Sequence, residues 1–141
     1  MNLYVESSAI VSWLLGQSRG TEVVEQLDGA DNVVSSELLL LECDRAVIRV
    51  ESSGQVPAAE SARVRGDLAR ASSYWTLLRM GDEVLERARR PFPQEPVRSL
   101  DALHLATLIL GRSIFADLEL LSFDDRIRAN AAALGFAIAG S

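Results

Sequence analysis

The stretch Pro96-Val97-Arg98-Ser99-Leu100-Asp101-Ala102-Leu103-His104-Leu105-Ala106-Thr107-Leu108-Ile109-Leu110 decides how the rest of the chain is read. Ser99 is a capping residue type, and a helix starting there holds Asp101 in its first turn. Free N–H groups and the positive end of the helix dipole favour a negative charge at that place. From Ala102 to Leu110 only His104 and Thr107 interrupt an apolar run, so the helix is predicted to be buried nearly all round. An acid at the mouth of a buried helix is most often a capping charge. Here three other isolated acids fall at matching places, which changes the reading.

Outward from this helix, short apolar runs alternate with helical patterns. Residues 2–5 read as a buried strand, followed by Glu6-Ser7-Ser8 and an apolar helix over 9–15. A second helix spans 21–27, with Val23, Val24 and Leu27 at helical spacing. Val33-Val34 reads as the second strand, after which Ser35 or Ser36 caps a long helix to residue 50. Pro57 suits the first turn of a fourth helix, over 57–71, and the strand formers at 74–78 give a third strand. Asp82 caps a short charged helix to residue 90, and three prolines keep 91–96 out of regular structure. Gly111 stops the central helix. Residues 118–122 form a fourth strand, 124–134 a helix and 136–138 a fifth strand. The pattern predicts one α/β domain over residues 1–141: a short, mainly parallel five-stranded sheet flanked by helices. Such sheets hold their sites outside the carboxyl ends of the strands.

With 141 residues the chain can bury a core without disulfide or metal staples. Its longest near-apolar runs, 38–41 and 105–110, are far too short to span a bilayer, so no membrane association is expected. Glu6 stands where a secretory signal would be positive, and Cys43 is the lone cysteine. Both point to a reducing, cytoplasmic setting, with Cys43 a small core residue. The net charge of −6 excludes a chain that binds nucleic acid through its whole surface; a polyanion must meet a local basic patch or bound cations. All 14 basic residues are Arg, a planar donor matched to phosphate.

Glu6 follows strand one directly, Glu42 lies on the helix after strand two, Asp101 opens the central helix, and Asp124 follows strand four. All can project from one edge of the sheet. Carboxylates converging there repel one another and raise each other's pKa unless a cation is present. Without a Cys pair and with a single His, the donor set is all oxygen, which suits Mg²⁺ or Mn²⁺ rather than zinc. Other readings stand beside this one. Glu42 can be a buried partner of Arg45 or Arg49, on its own helix face. Asp124-Asp125 can be a plain helix N-terminal pair.

Several segments resemble the PIN-domain nucleases, in order and over nearly the whole chain. Leu3-Tyr4-Val5-Glu6-Ser7-Ser8-Ala9-Ile10 is similar to the family's opening, where Asp, then Ser or Thr, then Ser-Ala follow strand one. Ser36-Glu37-Leu38 through Leu41-Glu42, with Arg45-Ala46, resembles the second acidic motif. Leu100-Asp101-Ala102-Leu103-His104-Leu105-Ala106 closely matches the third, the most specific of the set. Leu121-Ser122-Phe123-Asp124, with Arg126-Ile127 and Ala133-Leu134-Gly135-Phe136, resembles the fourth. Size and order are most similar to the VapC toxins of VapBC toxin–antitoxin modules. One departure is plain: Glu6 stands where the family usually has Asp. The extra methylene moves the carboxylate by about 1 Å, and misplacement on that scale can cost on the order of 100-fold in rate.

The resemblance implies a metal-dependent ribonuclease that hydrolyses RNA phosphodiester bonds as the toxin of a type II toxin–antitoxin pair. Glu6, Glu42, Asp101 and Asp124 would hold Mg²⁺ or Mn²⁺. Ser8 and Ser122 would orient those carboxylates, or cap helices, two roles that suit them equally. Asp125 is an auxiliary acid or a solvated helix start, and the second reading is favoured. His104 reads as a packed, hydrogen-bonded residue rather than a proton donor. Arg45, Arg49 and Arg98 are candidates for phosphate contact, or else pair with nearby acids. The implied partners are RNA, a cognate antitoxin docking near the apolar stripes of 21–27 and 57–71, and a second copy of the chain. The alternative reading is a PIN-fold module that binds RNA or protein with weakened catalysis.

Overall fold

The computed structural model describes residues 1–140. In chain order it contains β1 (Asn2–Val5), α1 (Ser7–Leu14), α2 (Gly20–Gly29), β2 (Asn32–Ser36), α3 (Leu38–Ser52) and α4 (Ala58–Ser72). There follow β3 (Thr76–Leu78), α5 (Asp82–Ala88), α6 (Ser99–Gly111), β4 (Glu119–Leu121) and α7 (Asp125–Ala133). The strands pair in the order β3-β2-β1-β4, each neighbour parallel.

The two-residue period of a strand divides the core into two layers. Leu3, Val5, Val33 and Leu121 point to one face, where they pack with Ile10 of α1 and Leu39, Cys43 and Val47 of α3. Tyr4, Val34 and Leu120 point to the other, against Leu105 and Leu108 of α6 and Ile127 of α7. Both faces being covered, Leu3, Tyr4 and Val5 are wholly buried, as a central parallel strand requires. Helix α6 lies in this second layer, and seven of its residues are buried. Gly111, the last residue of α6, stands where space is short: a Cβ would come within 3.1 Å of Leu118 and 3.4 Å of Leu78.

Several expectations are corrected. The sheet has four strands, not five. Residues 136–138 touch it through one bridge, Leu120 to Ile138, with Leu120 N–H donating to the Ala137 carbonyl at 2.9 Å. Between the left-handed turns at Gly135 and Gly140 the segment is too short to pair further. Strand β3 starts at Thr76, because the Trp75 N–H donates to the Ser72 carbonyl in the turn that ends α4. Helix starts also shift. Arg98, not Ser99, is the N-cap of α6 and supplies no side-chain bond, and Gly81 rather than Asp82 precedes α5. Of the two apolar stripes, Val23, Val64 and Leu68 are buried in the chain's own core, whereas Val24 of α2 is exposed. No helix among the described residues is long and apolar enough to cross a membrane.

Candidate active site

The strand order dictates where a crevice forms. From β1 the chain runs outward through β2 to β3, then crosses back to lay β4 on the other side of β1. The helices that follow β1 and β4 pack on opposite faces, α1 with Ile10 in one layer and α7 with Ile127 in the other. Their diverging starts open a crevice at the carboxyl ends of β1 and β4, a topological switch point. Glu6 and Asp124 stand there.

Glu6 is the N-cap of α1 and only 4% exposed. Four donors satisfy its carboxylate. Oε2 accepts from the Ser7 hydroxyl at 2.8 Å and the Ser8 N–H at 3.0 Å; Oε1 accepts from the Ser8 hydroxyl at 2.6 Å and the Ser122 hydroxyl at 2.5 Å. The Ser8 oxygen in turn accepts the Phe123 N–H at 2.8 Å, and the Ser122 oxygen the Asp124 N–H at 3.1 Å. Both serines therefore orient a carboxylate and also tie down the β4–α7 turn. Asp124 caps α7, one oxygen accepting the Ile127 N–H at 2.9 Å.

Glu42 approaches from α3. Its Oε1 is bonded to His104 Nε2 at 2.5 Å, while His104 Nδ1 meets the Tyr4 hydroxyl at 2.9 Å. His104 is 1% exposed, so it is the packed, hydrogen-bonded residue expected. Tyr4 went unnoticed in the sequence, although the signal was present. A phenol in a strand buried on both faces must find a partner for its hydroxyl. Burial, foremost among its surroundings, pushes that phenol well above its ordinary value. Burial likewise pushes the Cys43 thiol up and keeps it an inert core residue.

Asp101, half-buried in the first turn of α6, accepts no hydrogen bond among the described residues. Its carboxyl is pushed above the ordinary value of 3.8, first by burial, then by the charges of Asp124 and Glu6, and less by Glu42; His104 opposes the shift. The four acids thus share one electrostatic neighbourhood. They line a single cavity of about 940 Å³, together with Arg45, Arg49 and Arg98. Among the described residues no three side chains are grouped as ready ligands of one ion. Glu6 accepts from three serines, Glu42 is bonded to His104 and Asp124 caps α7. The donor chemistry nonetheless fits a hard cation. Asp125 is exposed and outside this cavity, at the solvated start of α7. Arg45, Arg49 and Arg98 are exposed and pair with no acid among the described residues, so the expected alternative of ion pairing does not occur. Leu41 and Leu100, 59% and 49% exposed, add apolar rim directly before Glu42 and Asp101.

A short parallel sheet with carboxylates gathered at its switch point defines the class: the PIN domain matches residues 3–133, and the chain belongs to that family. Within it, the chain is similar over nearly full length to curated ribonucleases. Ribonuclease VapC46 of Mycobacterium tuberculosis (strain ATCC 25618 / H37Rv) is 35% identical over 137 residues, 96% of this chain and 95% of that protein. Ribonuclease VapC35 of Mycobacterium tuberculosis (strain CDC 1551 / Oshkosh) is 29% identical over 138 residues, 96% of this chain and 94% of that protein.

Proposed function

We propose that this chain is a metal-dependent endoribonuclease acting as the toxin of a type II toxin–antitoxin pair. One observation carries the reading: four carboxylates and three arginines free of ion pairs line the same cavity. Full-length similarity to proteins named as VapC ribonucleases supports RNA as the substrate.

Glu6, Glu42, Asp101 and Asp124 would hold Mg²⁺ or Mn²⁺ directly or through waters. Mg²⁺ commonly binds through one or two carboxylates and keeps several waters, so no preassembled group of three ligands is needed. Bound there, the ion supplies an activated water and offsets charge on the phosphate oxygens. The chain's own residues do the rest. Arg45, Arg49 and Arg98 bind phosphates of the RNA, their planar guanidinium groups matching phosphate geometry. Ser8 and Ser122 keep the Glu6 carboxylate in one orientation. Leu41 and Leu100 exclude water and offer apolar surface to the bases beside the scissile bond. Hydrolysis adds the oxygen of water to phosphorus, breaks one P–O ester bond and leaves the proton on the departing ribose oxygen.

The toxin role brings a cognate antitoxin, a homodimer and a cytoplasmic setting. Beside α4, a cleft of about 290 Å³ lies between α1, α3 and α4. The half-buried Leu15, Val50 and Val56 are among the residues that line it, and an antitoxin segment docks there.

The test is cleavage of single-stranded RNA by the purified chain. Chelator should stop it, and Mg²⁺ or Mn²⁺ should restore it. The competing reading, a binding module with weakened catalysis, draws on Glu6, whose four hydrogen bonds occupy the carboxylate. RNA binding without cleavage at any metal concentration would establish that reading instead.

A further inference from the structure

The geometry points to Tyr4 and His104 as positioning residues that hold one oxygen of Glu42 and present the other to the divalent ion. This rests on the metal-dependent reading above. Glu42 sits on α3, His104 on α6 and Tyr4 on β1, so their hydrogen bonds join α3, α6 with Asp101 in its first turn, and the strand that Glu6 directly follows. Tyr4 is the fixed end of the chain of bonds. It pairs with Val34 on one side and Leu120 on the other, in the middle of the sheet. Its ring stands edge-on to the imidazole, the planes at 84° and the centroids 6.1 Å apart.

The partners suit one arrangement of hydrogens. A carboxylate offers only lone pairs, so Nε2 is placed to donate to Glu42. With the ring neutral, Nδ1 is bare, and the Tyr4 hydroxyl at 2.9 Å is placed to donate to it. Tyr4 thereby sets the tautomer that His104 needs to hold Glu42. Buried to 99% and with both nitrogens engaged, the imidazole does not reach substrate; its effect passes through Glu42.

The alternative for Glu42 is close at hand. Its side chain has three rotatable bonds, and Arg45 and Arg49 follow three and seven residues on, near the same helix face. Held by His104, Glu42 makes no ion pair with either. One hydrogen bond thus keeps a carboxylate for the ion and leaves both guanidinium groups for phosphate.

The experiment measures Mn²⁺ binding to the full chain by electron paramagnetic resonance, for wild type, His104→Gln, His104→Leu and Tyr4→Phe. Histidine ¹⁵N shifts are recorded for wild type and Tyr4→Phe. Gln retains an N–H near the place of Nε2, whereas Leu fills the core without a donor. The expected result is Mn²⁺ affinity within about 3-fold of wild type for Gln, and a loss of about 10- to 100-fold for Leu. The wild-type imidazole should show one tautomer, with hydrogen on Nε2, and Tyr4→Phe should show a mixture. A residue that only fills the core would give the reverse order, Leu binding as well as wild type and Gln worse. That order, or hydrogen on Nδ1 in wild type, overturns the proposal. Should His104→Leu not fold, the wild-type tautomer and the Tyr4→Phe affinity decide: Mn²⁺ binding weaker than wild type supports the proposal, and binding equal to wild type overturns the role of Tyr4. Wild type failing to bind Mn²⁺ would end the metal reading and this role with it; equal binding by wild type and His104→Leu would end this role alone.

Discussion

Glu6 and Asp101 stand in one cavity with the same charge, yet the fold treats them in opposite ways. Glu6 is nearly sealed from solvent and receives four hydrogen bonds, all from the turns that follow β1 and β4. Its negative charge is matched by dipoles of the protein itself. Asp101 is more open, yet no protein donor meets it, and its proton is held more tightly than in a free carboxyl. The strand-end wall of the cavity is therefore organised before any cation arrives, while the helix wall carries charge that the protein does not compensate. A site divided in this way has rigid geometry on one side and electrostatic demand on the other. On the proposed metal-dependent reading, that demand is what recruits a cation.

The sharpest way to break this comparison is Asp101→Asn, which keeps size and most hydrogen-bonding capacity while removing the uncompensated charge. RNA cleavage should fall by at least about 100-fold, since metal-assisted stabilisation is worth several kcal/mol. Without metal the melting temperature should hold or rise, and the sign follows from linkage. The folded carboxyl is pushed above its ordinary value of 3.8, so between the unfolded and folded values the folded state binds more protons. Stability then falls as pH rises through that interval, and the deficit is complete at neutral pH. A melting series from acid to neutral pH should show this decline in wild type, with a smaller one in Asp101→Asn. An Asn variant less stable than wild type at neutral pH would make Asp101 a plain capping charge. Adding Mg²⁺ or Mn²⁺ should raise the wild-type melting temperature, by about 2.7 kcal/mol of stability at 100-fold excess over Kd. The Asn variant should respond much less.

Ser122→Ala probes the other wall. It removes a donor to Glu6 and the acceptor of the Asp124 N–H, leaving two buried groups short of a partner. A loss of about 1–3 kcal/mol is expected from that deficit, read as a lower denaturant midpoint. Here stability and cleavage should fall together, opposite to the pattern at Asp101. The smallest effect belongs to Glu6→Asp. Asp is a better N-cap than Glu and can keep the Ser8 N–H bond while withdrawing from Ser122. Cleavage should be retained or raised within about 10-fold, restoring the shorter acid usual in the family. A complete loss would show that the Ser122 bond, and not the cap, is what the strand-end wall depends on.

Much of the domain was open to inspection in the sequence because the relevant physics is local. Leu3-Tyr4-Val5 and Val33-Val34 read as strands from their apolar character, and both are strands. The helix at 99–110 showed in its nearly continuous apolar run; Glu6, Asp101 and Asp124 showed by falling after a strand or in a helix's first turn, and Glu42 as an isolated acid on the helix after strand two. Capping was less legible. Ser36, not an N-cap by backbone conformation, still accepts the Leu38 N–H at 3.1 Å, whereas Ser99 caps nothing. A capping residue type marks a neighbourhood, and the exact position depends on how the preceding loop enters the helix.

What the sequence by itself determined is the class of fold, the order of its elements and the identity of the acids, since periodicity, turn chemistry and motif spacing act over a few residues. The tertiary structure alone decided how those acids are held. That the Glu6 carboxylate is satisfied by Ser122, 116 residues away, depends on β4 returning to pair with β1. That Tyr4 reaches His104, 100 residues on, depends on which face of β1 meets α6. That Glu42 meets His104, 62 residues on, depends on α3 and α6 packing against the same sheet. Each is a contact between distant segments whose partners become neighbours only after the sheet has formed. The number of strands was decided in the same way, because Leu120 had one place left for Ile138 and the chain turned away at Gly140.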